Sequence, residues 1–164
     1  MRTRWQEIDS LEGVLLPPIY SIELVRKHRV GRRDLAWDTK AVATVLAKYL
    51  AVVDREHFVV VMVDARGYVI GVTTVAIGSL TRAEVTGREV FKPAVVANAA
   101  AIILAHNHPS GDPSPSPEDV AITQRLAVAG AVLDIPVLDH LVIGDGSFAS
   151  FKALGLLPSP PENL

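Results

Sequence analysis

Apolar positions change period several times along the chain. Over residues 38–54, DTKAVATVLAKYLAVVD, the residues Ala41, Val42, Val45, Leu46, Tyr49, Leu50 and Val53 recur at helical spacing. That spacing predicts an amphipathic helix with one buried face, and Asp38 or Thr39 can cap it. HFVVVMVDA is instead apolar at successive positions, the pattern of a central strand covered on both faces. Arg66-Gly67 turns the chain into YVIGVTTVAIG, a second strand and hairpin partner. REVF predicts one helical turn, and Pro93 restarts a helix at its first position, PAVVANAA. AIILAH is a third strand. PEDVAITQRLAVAG is a helix with Val120, Ile122, Leu126 and Ala127 toward the core and Gly130 at its end. PVLDHLVIG is a fourth strand, and Asp145-Gly146 turns it toward SFASF. Helices alternating with apolar strands, with one strand pair antiparallel, predict an α/β fold: a mixed β-sheet flanked by helices.

Composition narrows the chemistry. The chain has 164 residues, 49% hydrophobic and 21% charged, which suits one globular core. Its longest apolar runs, such as Phe58 to Val63, are too short to span a bilayer, so no membrane role is expected. There is no cysteine, which excludes disulfides and thiolate metal sites. The opening residues MRTRWQEIDS carry no apolar segment of signal-peptide kind, and a reducing cytoplasm is the expected location. The net charge of −2 exerts no general pull on nucleic acid. Arg26, Lys27, Arg29, Arg32 and Arg33 nevertheless cluster in VRKHRVGRR, either as a patch for phosphates or an acidic partner, or as a solvated arm. Pro17-Pro18 forbids a continuous helix before it, and SIELVRKH allows a short one.

The candidate chemistry sits where the third strand ends. Ligand sites in α/β folds tend to lie at the carboxyl ends of strands. His106 and His108, two apart on an extended chain, leave the same face with Cα atoms about 6–7 Å apart. Their imidazoles can converge on one metal ion, while Asn107 points the other way. Asp119 is the nearest sensible third ligand, carried by a loop that Pro109, Pro113, Pro115 and Pro117 stiffen. Ser116-Pro117-Glu118-Asp119 is also a helix start in its own right, with Ser116 as N-cap and Asp119 completing a capping box. Asp112 is a rival ligand, although an acid beside glycine commonly forms a turn.

His106, His108, Ser116 and Asp119 form H-x-H-x(7)-S-x-x-D, which matches the metalloprotease motif of the JAB/MPN+ (JAMM) family. The flanks NAAAIILAHNHPSGDPSPSPED and VLDHLVIGDGSFASF resemble its RadC-like branch, long labelled as DNA repair proteins. The resemblance runs from about Asp38 to Leu157. It implies a RadC-like JAB/MPN domain (37–157) of cytidine-deaminase-like layer architecture; the mixed residues before it read as an N-terminal arm (1–36) and the Pro-rich end as a disordered tail (158–164). It further implies one zinc per chain on His106, His108 and Asp119, with water as fourth ligand. Glu56, directly before the first strand, matches the family's general base, and Glu89 is its rival. Ser116 would hydrogen-bond the oxyanion. The implied reaction is hydrolysis of a peptide or isopeptide bond in a protein or peptide substrate. A capped helix start can present its acid to a metal, so both readings of Ser116 and Asp119 hold together.

Other expectations stay open. His140 matches a RadC-like position and is either a group behind the metal or a core histidine. Asp139 and Lys92 are read as surface residues. A DNA-repair accessory or protein-binding module that keeps the fold is the alternative function. Only some 36 residues precede the domain, too few for the helix-hairpin-helix region that RadC-like proteins often carry, which weakens a nucleic-acid role. A homodimer through the arm or the strand near Phe148 is compatible with the pattern. Nucleobase deaminases use H-x-E with P-C-x-x-C, which this cysteine-free chain lacks.

Overall fold

The computed structural model describes residues 38–50, 53–78 and 85–159. The N-terminal arm, the Arg26–Arg33 cluster and the tail beyond residue 159 lie outside the described residues. In chain order the elements are α1 (Thr39–Leu50), β1 (His57–Val63), β2 (Val69–Ile77), α2 (Gly87–Val96), β3 (Ala101–Asn107), α3 (Pro117–Val132), β4 (Val137–Ile143) and β5 (Phe148–Ser150). The described strands form one five-stranded sheet in the order β2-β1-β3-β4-β5. Only β3 and β4 run parallel; β1 pairs antiparallel with both β2 and β3, and β5 antiparallel with β4. The parallel pair is joined by α3 in a β3-α3-β4 unit, which brings the β3 end and the α3 start to the same edge.

Strand alternation divides the core. Val59, Val61 and Val63 of β1 and Ala101, Ile103 and Ala105 of β3 pack with Val42, Ala43, Leu46 and Leu50 of α1. The other parity, Phe58, Val60 and Met62 with Ile102 and Leu104, packs with Val90, Phe91, Ala94 and Leu126 of α2 and α3. Strands covered on both faces need apolar residues at both parities, which is why β1 and β3 read as unbroken apolar runs. His106 follows Ile102 and Leu104 by the same two-residue step and so faces α3.

Several expectations change. Asp38 caps α1, its Oδ1 accepting from Ala41 N at 2.9 Å. The buried stripe of α1 is narrower than the apolar spacing predicts, because Val45 and Tyr49 are exposed and the Tyr49 hydroxyl lies 3.1 Å from that of Thr74. α2 is one helix with Pro93 inside it, not a turn and a restart. A proline inside a helix costs about 3 kcal/mol, and burial of Val90, Phe91 and Ala94, on both sides of the proline, holds the two halves in line.

Gly130 does not end α3, which continues to Val132. A Cβ on Gly130 would stand 2.6 Å from the Ile135 carbonyl oxygen and 3.1 Å from the Phe91 ring. The glycine is there for close approach. Gly130→Ala gains about 1 kcal/mol in helix propensity. It loses more by pressing on a backbone carbonyl that cannot swing away, so a net destabilisation of about 1–2 kcal/mol is expected. Urea unfolding reads it, and an unchanged midpoint would refute the close-packing role.

Asp139 is buried, not a surface residue. Its carboxylate accepts from His140 N (2.8 Å), Lys152 N (2.9 Å) and the Ser150 hydroxyl (2.6 Å), tying β4 to the chain around and after β5. Lys92 is exposed as expected and pairs with Glu89 at 2.7 Å.

Candidate metal centre

Three elements deliver the cluster. β3 ends in His106 and Asn107, His108 follows at once, and α3 begins with Asp119 in its first turn. His106 and Asp119 are fully buried and the His108 side chain is 19% exposed, so the cluster opens to solvent on the His108 side. His106 Nε2 lies 3.0 Å from His108 Nε2 and 3.2 Å from Asp119 Oδ1, and His108 Nε2 lies 3.6 Å from Asp119 Oδ2. Ligands about 2.0–2.1 Å from a tetrahedral ion stand about 3.3–3.4 Å from one another; the two spacings from His106 Nε2, 3.0 and 3.2 Å, lie close to that value. Asp119 Oδ1 is buried and accepts no hydrogen bond. A buried carboxylate oxygen without a donor is costly, and here it lies 3.2 Å from His106 Nε2. The donor set, spacing and orphaned oxygen together fit a divalent cation, and among the described residues this is the one such cluster.

The carboxylate is held from behind. Ser116 N and the Ser116 hydroxyl both donate to Asp119 Oδ2, at 2.8 and 2.7 Å, and Asp119 N donates back to Ser116 Oγ at 3.1 Å. The capping box is therefore real, and it leaves Oδ1 for the cluster. Burial by itself raises the Asp119 pKa, but neighbouring His106 and the Ser116 hydrogen bonds outweigh it, holding the carboxyl well below the usual carboxylate range. The Ser116 hydroxyl proton points at Asp119, so the oxyanion role requires that hydroxyl to turn.

Hydrogen bonds also orient the rings. His108 Nδ1 lies 2.7 Å from the Asp112 carbonyl. A carbonyl only accepts, so Nδ1 carries the proton and the Nε2 lone pair faces the cluster. Asp112 thus serves through its backbone. Its carboxylate caps Ser114 N at 2.9 Å and is not a ligand, in keeping with a turn former. His106 Nδ1 lies 2.9 Å from His140 Nε2, and His140 Nδ1 lies 2.6 Å from Thr123 Oγ1. His140 is fully buried and stacks on Phe151, and burial above all, then the adjacent His106, pushes its pKa well below the ordinary imidazole value. It is a core histidine and also the group behind a cluster residue, so both alternatives describe it.

Glu56 is half-buried, immediately before β1. Phe58 pairs with His106 in the β1–β3 register, so Glu56 stands two residues before the partner of His106 and His108 two residues after His106. Asn107 brackets Glu56: its side-chain oxygen accepts from His57 N at 2.8 Å and its amide donates to the Arg55 carbonyl at 3.1 Å. Glu89 lies on the outer side of α2, in the salt bridge with Lys92, and does not join the cluster. Thr123 and the clamp made by Asn107 were not singled out by sequence pattern. Thr123 had one signal, a polar residue on the buried stripe Asp119, Thr123, Leu126, Gly130 of α3.

Comparison with known proteins adds an independent line. The family model described as "RadC-like JAB domain" matches residues 37–156. A UPF0758 protein of Moorella thermoacetica is 42% identical over 160 residues, covering 93% of this chain and 69% of that protein. One from Desulforamulus reducens is 37% identical over 161 residues, covering 93% and 70%. One from Chloroflexus aurantiacus is 50% identical over 115 residues, covering 70% and 50%.

Proposed function

This chain belongs to the RadC-like JAB domain family, and on that premise we propose that it is a zinc-dependent hydrolase of peptide or isopeptide bonds. The observation that carries the reading is the convergence of His106 Nε2, His108 Nε2 and Asp119 Oδ1, with that oxygen buried and without a donor. Two neutral imidazoles and one carboxylate are a donor set that suits zinc in a hydrolytic site. When bound, zinc supplies Lewis acidity toward a carbonyl oxygen and lowers the pKa of water toward about 7.

The remaining steps belong to this chain's residues. Glu56 takes one proton from the attacking water as its oxygen adds to the amide carbon, and returns that proton to the nitrogen as the C–N bond breaks. The second water proton passes from the new carboxyl group to the amine, so the products are a carboxylate and an ammonium group. Ser116 turns its hydroxyl from Asp119 to the carbonyl oxygen as charge develops there, while its backbone N–H keeps hold of Oδ2. An open groove of about 670 Å³ borders His108 between the end of α1 and loops 109–111 and 144–146. No helix among the described residues is long and apolar enough to cross a membrane.

Zinc content per chain, measured by elemental analysis on protein purified without chelating resin, tests the reading. The native chain is expected to hold about one zinc and His108→Ala little, since a catalytic zinc site of three protein ligands loses one. No zinc in either, even after zinc is supplied, would refute it and leave a partner-binding role for the fold.

Asn107 enters as a positioning residue for Glu56. Asn107→Ala frees the backbone on both sides of Glu56, and displacement of a catalytic group by about 1 Å can cost about 10²-fold. The expected result is a loss of about 10–10²-fold in hydrolysis with zinc content unchanged. Full activity in the variant would dismiss the clamp.

A further inference from the structure

Behind His106 runs a buried chain of hydrogen bonds with a fixed direction. Thr123 Oγ1 lies 2.6 Å from the Asp119 carbonyl oxygen and 2.6 Å from His140 Nδ1. Back-bonding of a helical threonine to the carbonyl four residues earlier is common and by itself says little. Here it has a consequence. A hydroxyl has one proton and a carbonyl can only accept, so the proton goes to Asp119 O. Thr123 Oγ1 is then an acceptor toward His140, and His140 Nδ1 must be the protonated nitrogen. In a neutral imidazole the other nitrogen is a lone pair, and His140 Nε2 lies 2.9 Å from His106 Nδ1. That nitrogen of His106 must therefore donate, and the lone pairs of His106 Nε2 and His108 Nε2, 3.0 Å apart, then face each other, an arrangement that a cation between them relieves. Thr123, His140 and His106 all have no exposed surface, so no water intervenes to reverse the order.

We propose that Thr123 and His140 are positioning residues that fix His106 as its Nδ1–H tautomer and so keep the Nε2 lone pair directed at the cation. The inference rests on the metal-site reading above. It gives the two histidines different devices for one result: a single backbone carbonyl for His108 and a two-residue side-chain relay for His106. Without the Thr123 hydroxyl, His140 is free to carry its proton on Nε2 instead. That proton would point at His106 Nδ1 and force the His106 proton onto Nε2, where the cation must bind. Partners behind a ligand typically contribute about 10–100-fold to metal affinity.

Thr123→Val removes the hydroxyl at nearly constant shape, and Thr123→Ser keeps it. Zinc affinity is measured by competition with a chromophoric chelator, and ring tautomers by ¹⁵N shifts of the metal-free protein at mildly alkaline pH, where free imidazoles are neutral. The relay predicts Nδ1–H for both His106 and His140 in the native chain. It predicts zinc binding weakened by about 10–100-fold in Thr123→Val, with most of it restored in Thr123→Ser. A merely structural Thr123 would lower the melting temperature of the valine variant without changing a tautomer or the affinity of the folded protein. Native His106 protonated on Nε2, or a folded valine variant with native affinity, would overturn the relay. Should the valine variant not fold, the native tautomers and the serine variant still decide. A native chain that binds no zinc would instead overturn the hydrolase reading, while the tautomers of the metal-free protein would still judge the relay.

Discussion

Glu56→Gln is expected to lower amide hydrolysis by about 10²–10⁴-fold while leaving about one zinc per chain in place. The amide keeps the size of the side chain and removes the carboxylate that the proposed mechanism uses to take a proton from water and return it to the leaving nitrogen. Glu56 is not among the clustered donors, so metal content is not expected to move. Release of new amines from a peptide mixture, at matched zinc content, reads the effect. Glu89→Gln is the control: its carboxylate serves a surface pair with Lys92, and such pairs contribute about 0–1 kcal/mol. Equal activity of native protein and Glu56→Gln would remove Glu56 from the mechanism. Loss in Glu89→Gln alone would transfer the role.

Asp119→Ala is expected to take zinc from about one per chain to near zero, and to destabilise the metal-free protein as well. The first effect follows from removing the Oδ1 ligand. The second follows from the capping box, since the Ser116 N–H and hydroxyl both lose their acceptor. Loss of a cap costs about 0.5–2 kcal/mol. Ser116→Ala separates the two. It removes the cap side chain and leaves all three ligands, so it should lose about 1 kcal/mol in urea unfolding and keep its zinc. If Asp119→Ala and Ser116→Ala behaved alike in both measurements, Asp119 would be a cap and nothing more.

The two histidines and the acid were legible because each signal is local. An i, i+2 pair on a strand shares a face whatever the rest of the chain does. The S-P-E-D start of α3 is set by the backbone needs of a helix N-terminus. Apolar runs at both parities placed β1 and β3 in the middle of a sheet, and the resemblance to the RadC-like JAB pattern supplied the spacing that joins the two signals. Where local rules misled, a tertiary neighbour was the cause. Gly130 has the form of a helix stop, yet the Ile135 carbonyl and the Phe91 ring require a residue without Cβ there. Pro93 has the form of a helix start, yet packing of Val90, Phe91 and Ala94 overrides it. Asp139 has the form of a surface charge, yet β5 and the turn after it bring it two donors, the Ser150 hydroxyl and Lys152 N.

By itself, then, the sequence determined which segments are strands and helices and which residues could bind a metal, because periodicity, capping and side-chain chemistry act over a few residues. Only the tertiary structure decided how those groups are held. The antiparallel β1–β3 register, which pairs Phe58 with His106, brings the start of β1 to the end of β3 and lets Asn107 grip both flanks of Glu56. The parallel β3–β4 pairing places His140 opposite Leu104, two residues before His106, and α3 crosses above with Thr123. These residues are separated by 17 to 52 positions in the chain. No local rule relates partners so distant, and their contact exists only once the sheet has closed around the core.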